Sequence, residues 1–308
     1  MDRKGETTMW PNEVHWNELQ FGVEIEFVGG APEEVELLPG WVMSLDERQT
    51  DESGRESGSE LKPPPLRWEQ REQIRDMLGR LQAQGAQANW SCGLHVHVGL
   101  EKWGEAIVKP LLVAALLHQN ALQSILQTSG HRLLFCPPVT RQMVERFEAS
   151  PGPMALRNSG RPQSHRCGVN TASWYDWGTV EIRYANGSLD YEEVVRTIEL
   201  CLRFVAAVGA GRKLPAEPDA FVTALGAPAG GYPPQTLAPQ WHQERVWLEN
   251  ALIPVIAPQI ERLLPGSEIH HMLPVEGGLL VAAERSGEDL SRFMFRPTAL
   301  GWDYVRTL

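Results

Sequence analysis

The chain has few cysteines, no Cys-x-x-Cys pair, no long apolar run and no excess of positive charge. Cys92, Cys136, Cys167 and Cys201 are scattered, which argues against a zinc knuckle and fits reduced thiols in a cytoplasmic protein. The longest strongly apolar run, Leu111 to Leu117, is far shorter than the roughly 20 residues a bilayer span needs. Residues 1–16 lack the apolar stretch of a signal peptide, so the expected location is the cytoplasm. A formal net charge of −11 argues against broad capture of nucleic acid or of an anionic membrane, though a local basic pocket for a nucleotide stays open. There is no internal repeat.

What is present is a chain of 308 residues, ample for a buried core. A strand is expected from about Leu19 to Val28, a second at Trp41 to Leu45, and a short one at Ser59 to Lys62. The charged stretch Asp46 to Gly58 reads as an exposed, mobile loop. Apolar spacing predicts helices over Leu66 to Gln84 and Leu111 to Leu126. Thr140 is placed to cap a helix through Ala149, and Asp190 with Glu193 to cap one over Tyr191 to Val208. Residues 150–168 read as an irregular loop over a site, Gly209 to Pro239 as a linker, and Trp241 to Leu264 as a helix that Pro254 and Pro258 kink or divide. The order implies an α+β fold with a mostly antiparallel sheet, helices on one face and a charged face left open.

That charged face is the most informative feature. Three short segments, Phe21 to Phe27, Leu94 to Val98 and Val180 to Tyr184, repeat one design. Strand side chains alternate between faces, so Glu24 with Glu26, His95 with His97, and Glu181 with Arg183 each project together, away from aliphatic neighbours. Two carboxylates about 6 Å apart repel by roughly 0.7 kcal/mol in water and by about 3 kcal/mol at an effective dielectric of 20. A divalent cation or a basic side chain between them removes that cost. Oxygen ligands suit magnesium, and histidine beside carboxylate also suits manganese. The histidines could ligate a cation or donate to phosphate oxygens, and Arg183 could offset charge on a transferred phosphoryl group. Taken singly, each pair also fits a solvated strand face or an in-strand ion pair. Their conjunction in one chain favours a site.

The segments Gly22 to Phe27, Glu60-Leu61-Lys62-Pro63-Pro64, Cys92-Gly93-Leu94-His95-Val96-His97-Val98 and Thr179 to Arg183 occur in the order found in amidoligases. The chain therefore resembles that family, whose members are similar to glutamine synthetase and glutamate–cysteine ligase, over about residues 17–208. The resemblance implies a curved antiparallel sheet forming a funnel, helices on its outer face, and ATP with two or three Mg2+ or Mn2+ ions on its inner face. Carried over by motif, Glu24, Glu26, Glu60, His95 and Glu181 would hold metal. His97 would lie near the ATP phosphates and Arg183 near the transferred phosphoryl group, with Glu24, His97 and Arg183 as the catalytic set. Arg166 and Asn170 resemble positions lining the substrate side, Arg166 also being a nucleotide contact. The acidic loop before Glu60 is longer than the family's, so Asp46 or Glu47 is an alternative to Glu60 as ligand.

The function these expectations define is ATP-dependent ligation of a small-molecule or peptide carboxylate to an amine through an acyl phosphate, without nucleic acid or membrane partners. A metal-dependent hydrolase of amide bonds is one rival, since His-x-His opens some hydrolase sites on parallel barrels. A non-catalytic relative that binds nucleotide or peptide is another. Residues 209–308 lie beyond the resemblance and are expected to form a helical extension on the core or a lid.

Overall fold

Alternation of apolar and polar residues builds the first strand, β1 (Phe21–Gly29), in which Phe21, Val23, Ile25 and Phe27 are buried while Glu24 and Glu26 keep partial access. The computed structural model describes residues 9–285 and 289–308. After β1 come β2 (Val42–Ser44), the hairpin β3 (Gln49–Thr50) and β4 (Glu56–Ser57), and β5 (Ser59–Lys62). Then follow α1 (Glu72–Ala83), β6 (Ala86–Gln87), β7 (Gly93–Gly99), α2 (Val108–Ile125) and α3 (Arg141–Ala149). The order continues with β8 (Val169–Asn170), α4 (Ser173–Trp177), β9 (Thr179–Asn186), α5 (Tyr191–Gly209) and α6 (Pro218–Leu225).

Seven of these strands form one sheet in the order β2-β5-β1-β7-β9-β8, with β6 pairing the end of β1, while β3 and β4 pair with each other. Every pairing is antiparallel, and the path does not close into a barrel. Leu94, Val96 and Val98 of β7 and Val180, Ile182 and Tyr184 of β9 join the apolar residues of β1 in one core. Helices α1, α2 and α5 cover that side, contributing Ile74, Leu78, Leu111, Leu122, Ile198 and Leu202 to the same cluster. Burying each such side chain contributes about 1.5–3 kcal/mol, so the covered face dominates stability and fixes which way the strands present their polar residues. All four cysteines are unpaired and buried, and burial pushes the Cys92 and Cys167 thiols up to about 12.

The expected caps form: Met143 N–H donates to Thr140 Oγ1 at 3.3 Å, and Glu193 N–H to Asp190 Oδ1 at 3.0 Å. Three expectations need correction. The stretch 46–58 is a hairpin rather than a loose loop. Asp51 Oδ1 accepts from the backbone of Ser53 and Arg55, and Thr50 is tied to Ser91 and Asn89. Gly58, at φ +64°, brings this hairpin back against the backbone of Phe27 and Val28, where a Cβ would collide. Residues 209–239 are no linker either. They contain α6, and Asn186 Nδ2 donates to the carbonyls of Pro233 and Pro234 at 3.2 and 3.0 Å.

The third correction concerns the C-terminal region. The described residues divide into a unit extending to Asn158 with Arg166–Leu237, and a second of Ser159–His165 with Ala238–Leu308. In the second, α7 (Gln240–Leu263) runs through Pro254 and Pro258 as one helix. It is followed not by more helix but by an antiparallel meander of β10 (Ser267–Val275), β11 (Gly278–Arg285), β12 (Ser291–Thr298) and β13 (Gly301–Thr307). Its own core includes Ile256, Ile260, Met272, Val281, Phe293 and Phe295. Within this unit Arg161 reaches Glu249 Oε2 at 2.7 Å and Asn250 Oδ1 at 2.7 Å, so residues 159–165 belong to it rather than forming only an irregular loop. No helix of the described residues is long and apolar enough to cross a membrane.

Candidate active site

Register explains how residues distant in sequence meet on the sheet face turned away from the apolar core. Glu24 of β1 lies directly opposite His95 of β7, Glu26 opposite Glu60 of β5, and His97 opposite Glu181 of β9. Since opposed residues in an antiparallel ladder share a face, the three expected pairs converge with Glu60. A bulge between Leu94 and Val96 sets two residues of β9, Arg183 and Tyr184, against His95 alone. Arg183 thereby reaches the cluster while Tyr184 stays in the core.

The distances define a compact polar centre. His95 Nδ1 lies 2.9 Å from Glu24 Oε2 and 3.9 Å from Glu181 Oε1, and its Nε2 lies 3.7 Å from Glu26 Oε1. His97 Nε2 is 3.3 Å from Glu24 Oε1 and 3.8 Å from Glu181 Oε1. On the other edge of that ring, Nδ1 faces Thr179 Oγ1 at 3.0 Å and Ser173 Oγ at 3.4 Å. Arg183 bonds Glu181, and its other terminal contact is His95 Nδ1 at 3.4 Å. Asn170 Nδ2 donates to the second Glu181 oxygen at 2.7 Å. Glu26 accepts from the Gly93 N–H. Gly93 must lack a side chain, because a Cβ there would overlap the guanidinium of buried Arg132, which holds the Cys92 carbonyl at 2.7 Å.

Electrostatics within the cluster are uneven. Burial works to raise the Glu24 carboxyl, but hydrogen bonds with His95 and His97 outweigh it and hold Glu24 well below the usual carboxylate range. Burial likewise opposes ionisation of Glu181, and the Arg183 charge overcomes it, keeping Glu181 low. Glu60 goes the other way. Burial first, then repulsion from Glu24 and Glu26, push it up to about 9 despite Lys62. Both causes disfavour the charged form, burial by removing water and the two neighbouring carboxylates by repulsion.

Two groups bring three potential ligand atoms within 4.8 Å of one another: Glu24, His95 and Glu181, and Glu26, Glu60 and His95. The donors are oxygens with one imidazole nitrogen, a set that fits magnesium or manganese. Arg183 Nε is buried with no hydrogen-bond partner among the described residues, which leaves a strong donor for an acceptor from outside them.

Among residues expected from the sequence, Glu24, Glu26, Glu60, His95, His97, Glu181 and Arg183 are brought together. Asp46 and Glu47 are exposed, and Glu60 is the residue that enters the group with Glu26 and His95. Asn170 joins through Glu181, which makes it a residue that positions that carboxylate. Arg166 is exposed, and no hydrogen bond or ion pair among the described residues links it to the cluster. Lys62 had no expected role, yet its Nζ lies 2.7 Å from Glu60 Oε2 and 3.7 Å from Glu24 Oε1. The signal was available, since Glu60 and Lys62 are two apart on a strand and share a face like the other pairs.

Fold and site together define a mixed helix and antiparallel-sheet protein with a largely buried carboxylate–imidazole centre on one sheet face. Residues 35–205, more than half the chain, match the family described as "Putative amidoligase enzyme", and the chain belongs to that family. The match contains Glu60, His95, His97, Glu181 and Arg183 but begins after β1, so Glu24 and Glu26 enter the centre on geometry. No curated protein matches the chain. The family name points to an amide-forming ligase.

Proposed function

We infer that the protein is an ATP-dependent carboxylate–amine ligase acting through an acyl phosphate, with the open antiparallel sheet as the wall of a glutamine synthetase-like funnel. One observation carries the reading: four carboxylates, two imidazoles and one arginine from four strands meet on one sheet face in an amidoligase. In the reaction, a substrate carboxylate oxygen attacks the γ-phosphorus of ATP and ADP leaves. An amine nitrogen then adds to the acyl carbon, and phosphate departs carrying the original carboxylate oxygen. Bound Mg2+ or Mn2+, held by Glu24, Glu26, Glu60, His95 and Glu181, would supply Lewis-acid neutralisation of phosphate charge.

The chain's own residues hold and orient. Arg183, clamped by Glu181, offers its free Nε to an oxygen that gains charge as the phosphoryl group moves. Asn170 keeps Glu181 in one rotamer, and Thr179 with Ser173 fixes the His97 ring so that Nε2 faces the cluster. Glu24, held ionised by the histidines, needs no proton loss before taking a cation. The parallel barrel that houses His-x-His hydrolase sites is not the architecture here, because the sheet is antiparallel and unclosed. The test is transfer of 18O from a labelled carboxylate substrate to phosphate, together with amine-dependent ADP release. Turnover without ATP would support hydrolysis instead, and nucleotide binding without turnover would support a binding relative.

A further inference from the structure

We propose that Lys62 is a tethered cation that takes the place of one divalent ion in the carboxylate centre, so that the nucleotide-free protein binds one fewer than its ligand set allows. This rests on the metal-site reading above. The ligand set offers two overlapping groups, Glu24–His95–Glu181 and Glu26–Glu60–His95. Lys62 Nζ contacts one carboxylate from each, at 3.7 Å on Glu24 Oε1 and 2.7 Å on Glu60 Oε2. It is fixed there by sequence, because Lys62 follows Glu60 by two residues on β5 and shares its face, while Leu61 between them is fully buried in the core.

Charge balance gives the stoichiometry. When all four carboxylates, Glu24, Glu26, Glu60 and Glu181, act as ligands and are therefore ionised, they exceed the two fixed cations, Lys62 and Arg183, by two charges. One divalent ion cancels them. A second would have to approach an ammonium that already occupies the Glu24–Glu60 side, and like charges at that range repel strongly in a partly desolvated site. Lysine is suited to the task, being a compact point charge with three donors on a flexible stem. Its side chain remains one-third exposed, so it can withdraw when a nucleotide arrives with its own counter-ions.

The experiment is a Mn2+ titration of the full nucleotide-free chain at neutral pH, following free Mn2+ by electron paramagnetic resonance. Wild type is compared with Lys62→Met and Lys62→Arg. The expected result is that Lys62→Met binds one further Mn2+, or binds its last Mn2+ roughly tenfold more tightly, while Lys62→Arg matches wild type. Lys62→Gln repeats the neutralisation should the methionine variant not fold. Equal stoichiometry and affinity in wild type and the neutral variants overturns the role of Lys62 and leaves the metal site intact. No Mn2+ bound by any of them overturns both. Gain in the arginine variant as well would show that shape, not charge, controls the site, and would also overturn the proposal.

Discussion

Replacing Glu60 by glutamine should make the cation-free protein more stable while weakening its hold on metal. Burial, then Glu24 and Glu26, raise this carboxyl from its usual 4.5 to about 9. The sign follows from linkage. The folded state binds the Glu60 proton more tightly than the unfolded state, so its stabilising contribution is complete below about pH 4.5 and is lost progressively as pH rises towards 9. At pH 7 the loss spans about 2.5 units at 1.36 kcal/mol each, or about 3 kcal/mol. Allowing about 1 kcal/mol at every pH for a weakened contact with Lys62, Glu60→Gln should be about 2 kcal/mol more stable than wild type at pH 7 and about 1 kcal/mol less stable below pH 4.5. The assay is urea denaturation in chelator from pH 4.5 to 9. The wild-type curve should fall relative to the variant's across this range, whereas the rise in Tm on adding Mn2+ should be larger for wild type. Parallel curves, or a less stable variant at pH 7, would refute the placement of Glu60 among uncompensated carboxylates.

Further outcomes follow from the same geometry. Arg183→Lys should lower kcat by about two orders of magnitude, because an ammonium lacks the rigid planar fork that holds Glu181 on one nitrogen and aims another at a phosphoryl oxygen; a near-normal rate would leave Arg183 a structural ion pair. Asn170→Ala removes the 2.7 Å bond to Glu181 between buried groups and should cost about 1–3 kcal/mol, read by denaturation, with weaker Mn2+ binding in titration. In the C-terminal unit, burial and then the neighbouring His270 and Arg245 charges lower His271 from 6.5 to about 4. Protonation therefore favours the unfolded chain, and hydrogen-exchange protection of residues 240–308 should drop as pH falls from 6.5 towards 4; unchanged protection would count against it.

Much of the centre was legible because strand alternation is a local rule. Once Glu24 with Glu26, His95 with His97 and Glu181 with Arg183 are each flanked by aliphatics, burial of the aliphatics fixes the face of the charges. Strand order was not local, and neither was the bulge that turns Arg183 towards His95. Lys62 went unassigned although the same rule covers it, since a lysine beside Pro63 reads as a strand end. The hairpin at residues 46–58 was hidden because its turn rests on side-chain bonds from Asp51 within a composition typical of loops. The meander of β10 to β13 was hidden by Pro274 and Pro297 inside strands and by the unbroken apolar run from Leu279 to Ala283. Its clearest sign was Glu276-Gly277 between β10 and β11, where Gly277 adopts φ +77°.

The most direct measurement is anomalous diffraction from crystals of the protein soaked with Mn2+ and a non-hydrolysable ATP analogue. The account predicts a manganese peak bounded by side chains of Glu24, Glu26, Glu60, His95 and Glu181, with analogue phosphate within hydrogen-bond reach of Arg183. Manganese elsewhere, or a nucleotide seated away from this sheet face, would contradict it.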